Sequence, residues 1–378
     1  MDFDFTDDQV SLRDAVARWV DKGFSFERRH QIAKAGGATR AVYGELAELG
    51  LTALAVPDSH GGMGFGPVEA MVVMEELGRG LVNAPLAQGA LIAPALLARA
   101  PEALQAEWLP KIADATALVV LAHQERGARY HLDRVSTRAA AQADGTHLLT
   151  GVKSVVPAGD EADAFIVPAN LGGADDDDSG IALFLVERSA PGVTVRGYPT
   201  QDGARAAELT LAGAPGRLIT EDGLAALQAG IDTGVAALCA EAVGVMDKLV
   251  ALTVEYMNTR KQFGTTLASF QALRHRIADV KMQLELARSM SYYATLRLGD
   301  PEPRRRQAIA QAKVQIGQSA RFVGQQCIQL HGGIGVTDEY IGSHYFKRLT
   351  MIEMQFGDTL HHLGEVSARM TDTAGALA

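Results

Sequence analysis

Two stretches towards the carboxyl-terminal end of the sequence contain residue types that bind phosphate groups. Arg260 lies at the end of a helical pattern, four residues before Gly264. An arginine at such a position can hold a phosphate through paired, charge-assisted hydrogen bonds. Further along, Gly332 and Gly333 follow His331, and a Gly-Gly backbone lets a ligand approach closely and offers its amide groups as donors. Each stretch alone is also typical of an ordinary helix end, so the prediction depends on finding both.

Two glycine-rich stretches are similar to known motifs but lack a residue that those motifs require. Residues 54–66 run from an apolar segment into a glycine loop, yet Pro67 stands where a dinucleotide fingerprint needs its third glycine. Residues 331–335 are similar to the oxyanion loop of esterases, but the sequence has no Gly-x-Ser-x-Gly nucleophile elbow. Zinc-binding patterns are absent as well, and we predict no metal site.

The composition argues against several classes of protein. The 378 residues are 47% hydrophobic and carry a net charge of −10 at pH 7. Such a negative surface repels nucleic acid and anionic lipid, and no apolar run reaches the length of a membrane span. The acidic start, residues 1–8, differs from the basic front of a signal peptide. We therefore expect a soluble, cytoplasmic protein that binds neither nucleic acid nor membrane, with Cys239 and Cys327 as core residues.

The pattern of apolar residues changes twice along the chain. Thr6 and Gln9 form a capping box before helical spacing that continues to about residue 116 and includes a predicted helix over Glu102–Ala113. Short β-type runs separated by Gly and Pro follow, and long helical stripes return after Glu221, the fourth covering roughly residues 343–368. These patterns predict an α+β protein with an N-terminal helical domain (1–116), a middle β-sandwich or barrel-like domain (117–217) and a C-terminal four-helix bundle (218–378). The acidic run Asp175–Asp178 is predicted to be a solvated loop.

Three segments of the predicted bundle, taken in this order and spacing, resemble the flavin-dependent acyl-CoA dehydrogenase family. They are residues 256–264, 270–279 and 329–335. The similarity extends to the earlier part of the chain, where the matching stretches are residues 54–57, 60–64, 75–78, 108–113 and 149–153. Nearly the whole chain is covered, and the helical, β, helical order agrees with that of the family.

The resemblance implies FAD as the cofactor and conversion of an acyl-CoA substrate to the 2-enoyl-CoA. A carboxylate would remove the α-proton, and such a base gains from a desolvated pocket that raises its pKa. The family pattern assigns contacts with FAD from a neighbouring subunit to Arg260, Phe263 and Gln271, and contacts with the same cofactor across the interface to Gln329, Gly332 and Gly333. The implied assembly is a homo- or hetero-oligomer, a dimer of dimers, with electron-transfer flavoprotein as the electron acceptor.

The sequence departs from the family pattern in the β domain. The family has Thr-Glu-Pro followed by Gly and Ser-Asp, whereas residues 123–129 keep only Glu125 and one glycine, and Arg126 follows the glutamate. The usual Trp-Ile-Thr or Trp-Ile-Ser over the flavin is replaced by Val155-Val156-Pro157. This change removes an aromatic wall and a hydroxyl donor, while backbone contacts to the flavin are expected to persist.

The catalytic base also departs from the family pattern. Counting without gaps from Gly332, the family's most frequent base position falls on Phe356, which cannot accept a proton. Other members carry their base on the first bundle helix, where Glu241 lies at the edge of the apolar stripe between Leu238 and Val245. That position suits a partly buried carboxylate with a raised pKa, although an ordinary ion pair with Lys248 or with an arginine of another subunit is the alternative. Asp358 and Glu353 are weaker candidates for the same role.

The tail of the chain, residues 344–358, is similar to the small subunit of pimeloyl-CoA dehydrogenase. Similar tails occur in members that form mixed tetramers, so this chain is expected to act alone or as one subunit of a heteromeric enzyme. A non-catalytic partner subunit that completes another chain's FAD site is the second hypothesis. An acyl-CoA oxidase or a flavin monooxygenase on the same fold is the third, and the acyl chain stays undetermined.

Overall fold

The computed structural model describes residues 4–143, 145–172 and 180–374, with side chains up to residue 370. This part of the chain forms two compact units. The helical unit contains the chain up to His30, Pro67–Val82 and the chain from Val235 onward, and the sheet unit contains Gln31–Gly66 and Asn83–Gly234. The acidic run Asp175–Asp178 lies outside the described residues. The predicted domain limits stay predictions.

The helical unit is built from helices whose apolar faces pack together. The predicted capping box is present, because Gln9 N donates to Thr6 Oγ1 over 3.3 Å and Thr6 N donates to Gln9 Oε1 over 3.0 Å. The stripe from Val235 to Leu249 is buried, as its spacing predicts. The elements are α1 (Asp7–Gly23), α4 (Pro67–Arg79), most of α7 (Gly223–Thr259), β8 (Lys261–Gln262), β9 (Thr265–Thr266), α8 (Gln271–Arg297), α9 (Glu302–His331), α10 (Ile341–Met354) and α11 (Thr359–Ala374).

The fourth predicted bundle stripe forms two helices instead of one. The chain turns between Met354 and Thr359, where Phe356 has a φ of 57° and Gly357 a φ of 106°. Left-handed backbone cannot continue an α-helix. Asp358 follows this turn and caps the next helix, since His361 N donates to its Oδ1 over 2.9 Å.

The sheet unit contains a barrel-like β-sheet and short helices. Strand β4 pairs with β5, β5 with β7, β7 with β3, β3 with β2, and β2 with β4, which closes a ring of strands. Strand β1 lies parallel to β4, and β6 pairs with β7. The elements are α3 (Arg40–Glu48), α5 (Ala93–Leu97), α6 (Glu102–Ala113), β1 (Val119–Leu121), β2 (Arg138–Ala141), β3 (His147–Pro157), β4 (Ala164–Asn170), β5 (Ile181–Glu187), β6 (Val193–Pro199) and β7 (Arg205–Thr220), while α2 (Phe26–Lys34) and α7 contribute residues to both units.

The predicted α+β architecture of helical, β and helical parts is confirmed. Among the described residues, no helix combines the length and the apolar composition that crossing a bilayer requires.

Candidate functional site

A buried ion pair organises the segment that follows β1. Lys153 Nζ on β3 lies 2.6 Å from Glu125 Oε1 and donates to the Pro168 carbonyl over 2.7 Å. Glu125 also accepts from Ser136 N and from Thr137 Oγ1, over 2.8 and 2.7 Å. Burial lowers the pKa of Lys153, and the Lys153 ammonium together with these hydrogen bonds holds the pKa of Glu125 below its usual range against the opposing effect of burial. The pair therefore fixes residues 123–129, the departure segment from the family pattern, to the sheet.

A cavity of about 240 Å³ lies beside this ion pair. Its wall includes Arg126 and Gly127 from the departure segment and Ser154 from β3. A Cβ added at Gly127 would meet no atom within 4 Å, so the backbone there borders open space. Ser154 N donates to the Gln124 carbonyl over 2.8 Å, which ties the strand to the segment at the cavity. The site thus offers a guanidinium, hydroxyl groups and exposed backbone.

Val155 adopts a strained backbone conformation next to this cavity. Its φ is 53°, and the pairing of β3 with β7 is irregular between Lys153 and Val156. A β-branched residue rarely adopts left-handed backbone, and such strain concentrates at functional sites. Val155 stands where the family pattern has tryptophan, and its side chain is 45% exposed. The predicted loss of the aromatic wall therefore leaves an accessible aliphatic side chain.

Glu241 forms a buried ion pair within the helical unit. Its two carboxylate oxygens accept from Arg348 Nε and Nη2 on α10, over 2.5 and 2.7 Å. The residue is only 3% exposed, and a Cβ added at Gly78 of α4 would overlap its carbonyl oxygen. Both oxygens are therefore engaged and closed off from a substrate. This geometry favours an ion pair over the predicted catalytic role, but its partner is Arg348 of the same chain and not Lys248 or an arginine of another subunit.

The weaker base candidates stabilise the start of α11. Glu353 Oε1 accepts from Thr359 N and Thr359 Oγ1, over 3.1 and 2.9 Å, and Asp358 caps the same helix. Anionic groups at a helix N-terminus are favourable, which explains this use of the two carboxylates. Phe356 itself is half-buried in the turn between them. The two carboxylates next to the family's usual base position thus make structural hydrogen bonds.

Two buried side chains that the sequence analysis did not identify, Lys313 and His362, bond to the backbone around the same turn. Lys313 Nζ donates to the Ile352 and Glu353 carbonyls over 2.6 and 3.0 Å, which caps the end of α10. His362 Nε2 donates to the Phe356 carbonyl over 2.9 Å, since a carbonyl can only accept. Burial lowers the pKa of Lys313 to about 8 and that of His362 to about 3. The turn is therefore fixed by groups from α9 and α11.

The six predicted cofactor residues lie on the surface of the helical unit. Phe263 and Gly264 form the tip of the β8–β9 hairpin, with φ of 54° and 80°, as a type I′ turn requires. Phe263 is 93% exposed, an unusual position for a phenyl ring without a partner surface. Arg260 lies at the base of the hairpin and Gln271 at the start of α8.

The remaining predicted residues follow the end of α9, and the set fits FAD chemically. A Cβ added at Gly332 or Gly333 would meet no atom within 4 Å, which leaves room for a ligand against the backbone. The side chains of Arg260, Gln271 and Gln329 are exposed and make no hydrogen bond to other described residues. Guanidinium and amide donors suit a pyrophosphate and an adenine.

His331 has a structural role next to the glycine pair. Its Nδ1 donates to the Cys327 carbonyl over 2.8 Å, so its Nε2 accepts from the Tyr340 hydroxyl, also over 2.8 Å. A second histidine, His344, has both ring nitrogens engaged in the same way, by Arg29 and by the Asp338 carbonyl. His344 approaches His30 and Asp338 closely enough to suggest a metal site. The lone pair of its Nδ1, however, already accepts a hydrogen bond from Arg29.

Comparison with known proteins identifies the class. Residues 6–116, 121–212 and 221–371 match models of the acyl-CoA dehydrogenase N-terminal, middle and C-terminal domains. Acyl-CoA dehydrogenase FadE27 of Mycobacterium tuberculosis is 28% identical, covering 99% of this chain and 100% of the relative. Probable acyl-CoA dehydrogenase fadE25 of Mycobacterium leprae is 30% identical, covering 82% of this chain and 81% of the relative. The structure of the ChsE4-ChsE5 complex from Mycobacterium tuberculosis is similar with a TM-score of 0.88 and 27% identity, covering 98% of this chain and 99% of that one.

The chain belongs to the acyl-CoA dehydrogenase family. It is an oxidoreductase that acts on acyl-CoA, and its cofactor is FAD. The family prediction made from the sequence is therefore confirmed.

Proposed function

We propose that this chain is one subunit of a heteromeric enzyme that converts an acyl-CoA thioester to the 2-enoyl-CoA, with the proton-accepting carboxylate supplied by a partner chain. The observation that carries the proposal is that the candidate bases are engaged in contacts with other residues of this chain. Glu241 is engaged by Arg348, while Glu353 and Asp358 cap α11. Phe356 stands at the family's usual base position. An α-proton of a thioester requires a positioned base, and none of these residues is free to serve.

The residues of this chain that would hold FAD are those on the surface of the helical unit. Arg260 and Gln271 would donate to the pyrophosphate and adenine side, with the Phe263 ring packed against it. Gln329, Gly332 and Gly333 would meet the cofactor of a neighbouring subunit. When bound, FAD supplies the acceptor for the β-hydrogen that leaves as hydride. The exposure of these side chains, and the absence of hydrogen bonds from Arg260, Gln271 and Gln329 to other described residues, support the proposal because an assembly would cover them.

Two further observations favour a mixed assembly. The ChsE4-ChsE5 complex, which has two named components, contains a chain with the same fold over nearly its whole length. The tail of this chain is similar to the small subunit of pimeloyl-CoA dehydrogenase, which extends the proposal to that subgroup. The proposal also includes a tetramer built as a dimer of dimers and electron-transfer flavoprotein as the electron acceptor. It further includes a cytoplasmic location and a role in fatty acid metabolism.

The test uses the full chain, first alone and then co-expressed with a dehydrogenase chain that carries glutamate at the family's base position. Visible spectra are recorded during anaerobic titration with a panel of acyl-CoAs. We expect no bleaching of the flavin bands with the chain alone and bleaching with the pair. Bleaching by the chain alone would show that it contains its own base and would refute the heteromeric proposal.

A non-catalytic partner subunit is the second candidate function. The loss of both the aromatic wall at Val155 and the carboxylate at position 356 favours it. A chain that binds no FAD yet assembles with an active dehydrogenase, whose FAD content then rises, would select this candidate. Oxygen consumption on addition of acyl-CoA would instead indicate an oxidase or a monooxygenase.

A further inference from the structure

The cavity beside the Glu125–Lys153 ion pair contains a cationic group that the dehydrogenase reaction does not explain. Arg126 lines this cavity, and its side chain is 79% exposed, so the guanidinium lies at the mouth. Among the charged residues of the wall, Glu125 is already neutralised by Lys153. Arg126 is therefore the group that determines which charge the cavity attracts.

The guanidinium of Arg126 is available for a ligand. Its only ionic neighbour among the described residues is Glu208, at 3.7 Å, which is longer than a hydrogen bond. Glu208 is itself held by Ser154 Oγ, which donates to its Oε2 over 3.1 Å. Elsewhere in the sheet unit, by contrast, Arg217 approaches Glu107 to 2.6 Å. Arg126 thus lines the cavity with a largely exposed side chain and no tight protein partner among the described residues.

The size of the cavity indicates that it takes part of a ligand. Its volume of about 240 Å³ is below the roughly 300–1,000 Å³ of sites that enclose a whole drug-sized molecule. Beside Arg126, the wall offers the open backbone at Gly127. A forked guanidinium with a nearby backbone amide matches a phosphate group.

We propose that Arg126 and this cavity bind a phosphate group of one of the enzyme's two phosphate-containing ligands, the acyl-CoA or FAD. The proposal rests on the family assignment for the identity of these ligands and does not depend on where the catalytic base comes from. The family pattern has proline after the glutamate, so the arginine is a feature of this chain. In a chain with a net charge of −10, a local cation also offsets the general repulsion of an anionic ligand.

The test measures equilibrium binding of the full-length chain by calorimetry, with coenzyme A in one series and FAD in another, each at low and high salt. We expect Arg126→Gln to weaken binding of one ligand about tenfold and to reduce the salt dependence of that ligand. Arg126→Lys should restore part of the affinity, because it keeps the charge and loses the fork. Glu208→Gln should tighten binding of the same ligand, because it removes the competing carboxylate while keeping an acceptor for Ser154.

Arg99→Gln is the matched control. Arg99 lies in the same unit, is 44% exposed and has an equally loose ion pair, with Asp222 at 3.9 Å, but it does not line the cavity. A loss for coenzyme A assigns the substrate's phosphate, and a loss for FAD assigns the cofactor's. Unchanged affinities for both ligands in Arg126→Gln would overturn the proposal, as would an equal loss in Arg99→Gln. Absence of binding of both ligands to the unmodified chain would also overturn it, because the cavity lies within one unit of this chain.

Discussion

Removing either partner of the buried Glu241–Arg348 pair should destabilise the helical unit strongly. The two bonds of 2.5 and 2.7 Å place the charge centres about 4 Å apart, where opposite charges attract by about 4 kcal/mol at an effective dielectric constant of 20. Much of that attraction offsets the cost of burying both charges. Glu241→Ala removes this carboxylate from the Arg348 guanidinium, which is only 8% exposed, and we expect a loss of about 3–5 kcal/mol in the free energy of unfolding.

The double-mutant cycle separates a structural pair from a catalytic base. Glu241→Ala and Arg348→Ala together should cost clearly less than the sum of the two single changes, because the two side chains bond to each other and each single change already removes that contact. Urea unfolding gives the free energies. Glu255→Ala, an exposed glutamate on the same helix, is the control and should stay within about 0.5 kcal/mol of the unmodified chain.

A catalytic Glu241 would give a different result. Its removal would abolish exchange of the acyl-CoA α-proton with deuterated water in the assembled enzyme, while the free energy of unfolding changed little and the two substitutions were additive. That combination would refute the structural interpretation of the pair. It would also return Glu241 to the role predicted from the sequence.

Three further changes test the turn at Phe356 and the strained strand. Phe356→Glu should introduce a base at the family position and raise α-proton exchange by the chain at least about a hundredfold, measured by mass spectrometry in deuterated water, and an unchanged rate would show that substrate does not reach this turn. Val155→Gly should stabilise the chain by about 1 kcal/mol because it relieves the φ of 53°, whereas Val152→Gly on the same strand should destabilise it by a similar amount; the opposite order in urea unfolding would contradict the strain argument. His362, whose pKa is lowered to about 3 by burial, binds its proton more weakly in the folded state, so stability should fall as pH drops below about 6.5. Between pH 6.5 and 5 the loss should be smaller in His362→Gln by up to about 2 kcal/mol, and equal pH profiles of unfolding would show that this histidine is not the cause.

The sequence predicted the elements whose signal is local. The capping box at Thr6, the α7 stripe and the limits of α6, Glu102–Ala113, follow from spacing and side-chain chemistry within one or two turns. The break between α10 and α11 was missed, although Gly357 followed by Asp358 is a usual stop and start signal. Apolar spacing across the break dominated that prediction.

The site was harder to predict because its decisive contacts join distant parts of the chain. Glu241 and Arg348 are 107 residues apart, and nothing in the local pattern of either residue indicates the other. Asp232, a second carboxylate on the same helix, was not considered as a candidate, and its full burial became visible only in the fold. Lys153 belonged to a recognised stretch, but its bond to Glu125 became visible only in the fold.

The make-up of the helical unit sets the order in which the two units can be completed during synthesis. All residues of the sheet unit are available once Gly234 has been made, whereas the segment ending at Val82 requires helices that continue to Met354. At roughly 5–20 residues per second, this segment waits on the order of 15 to 55 s for the last of those helices. Helices α1 and α4 can pack against each other at once, but the faces of α4 that meet α7 and α8 stay uncovered until those helices have been made. We expect nascent chains stalled before α8 to be retained by chaperones through α4, while the sheet unit already resists protease.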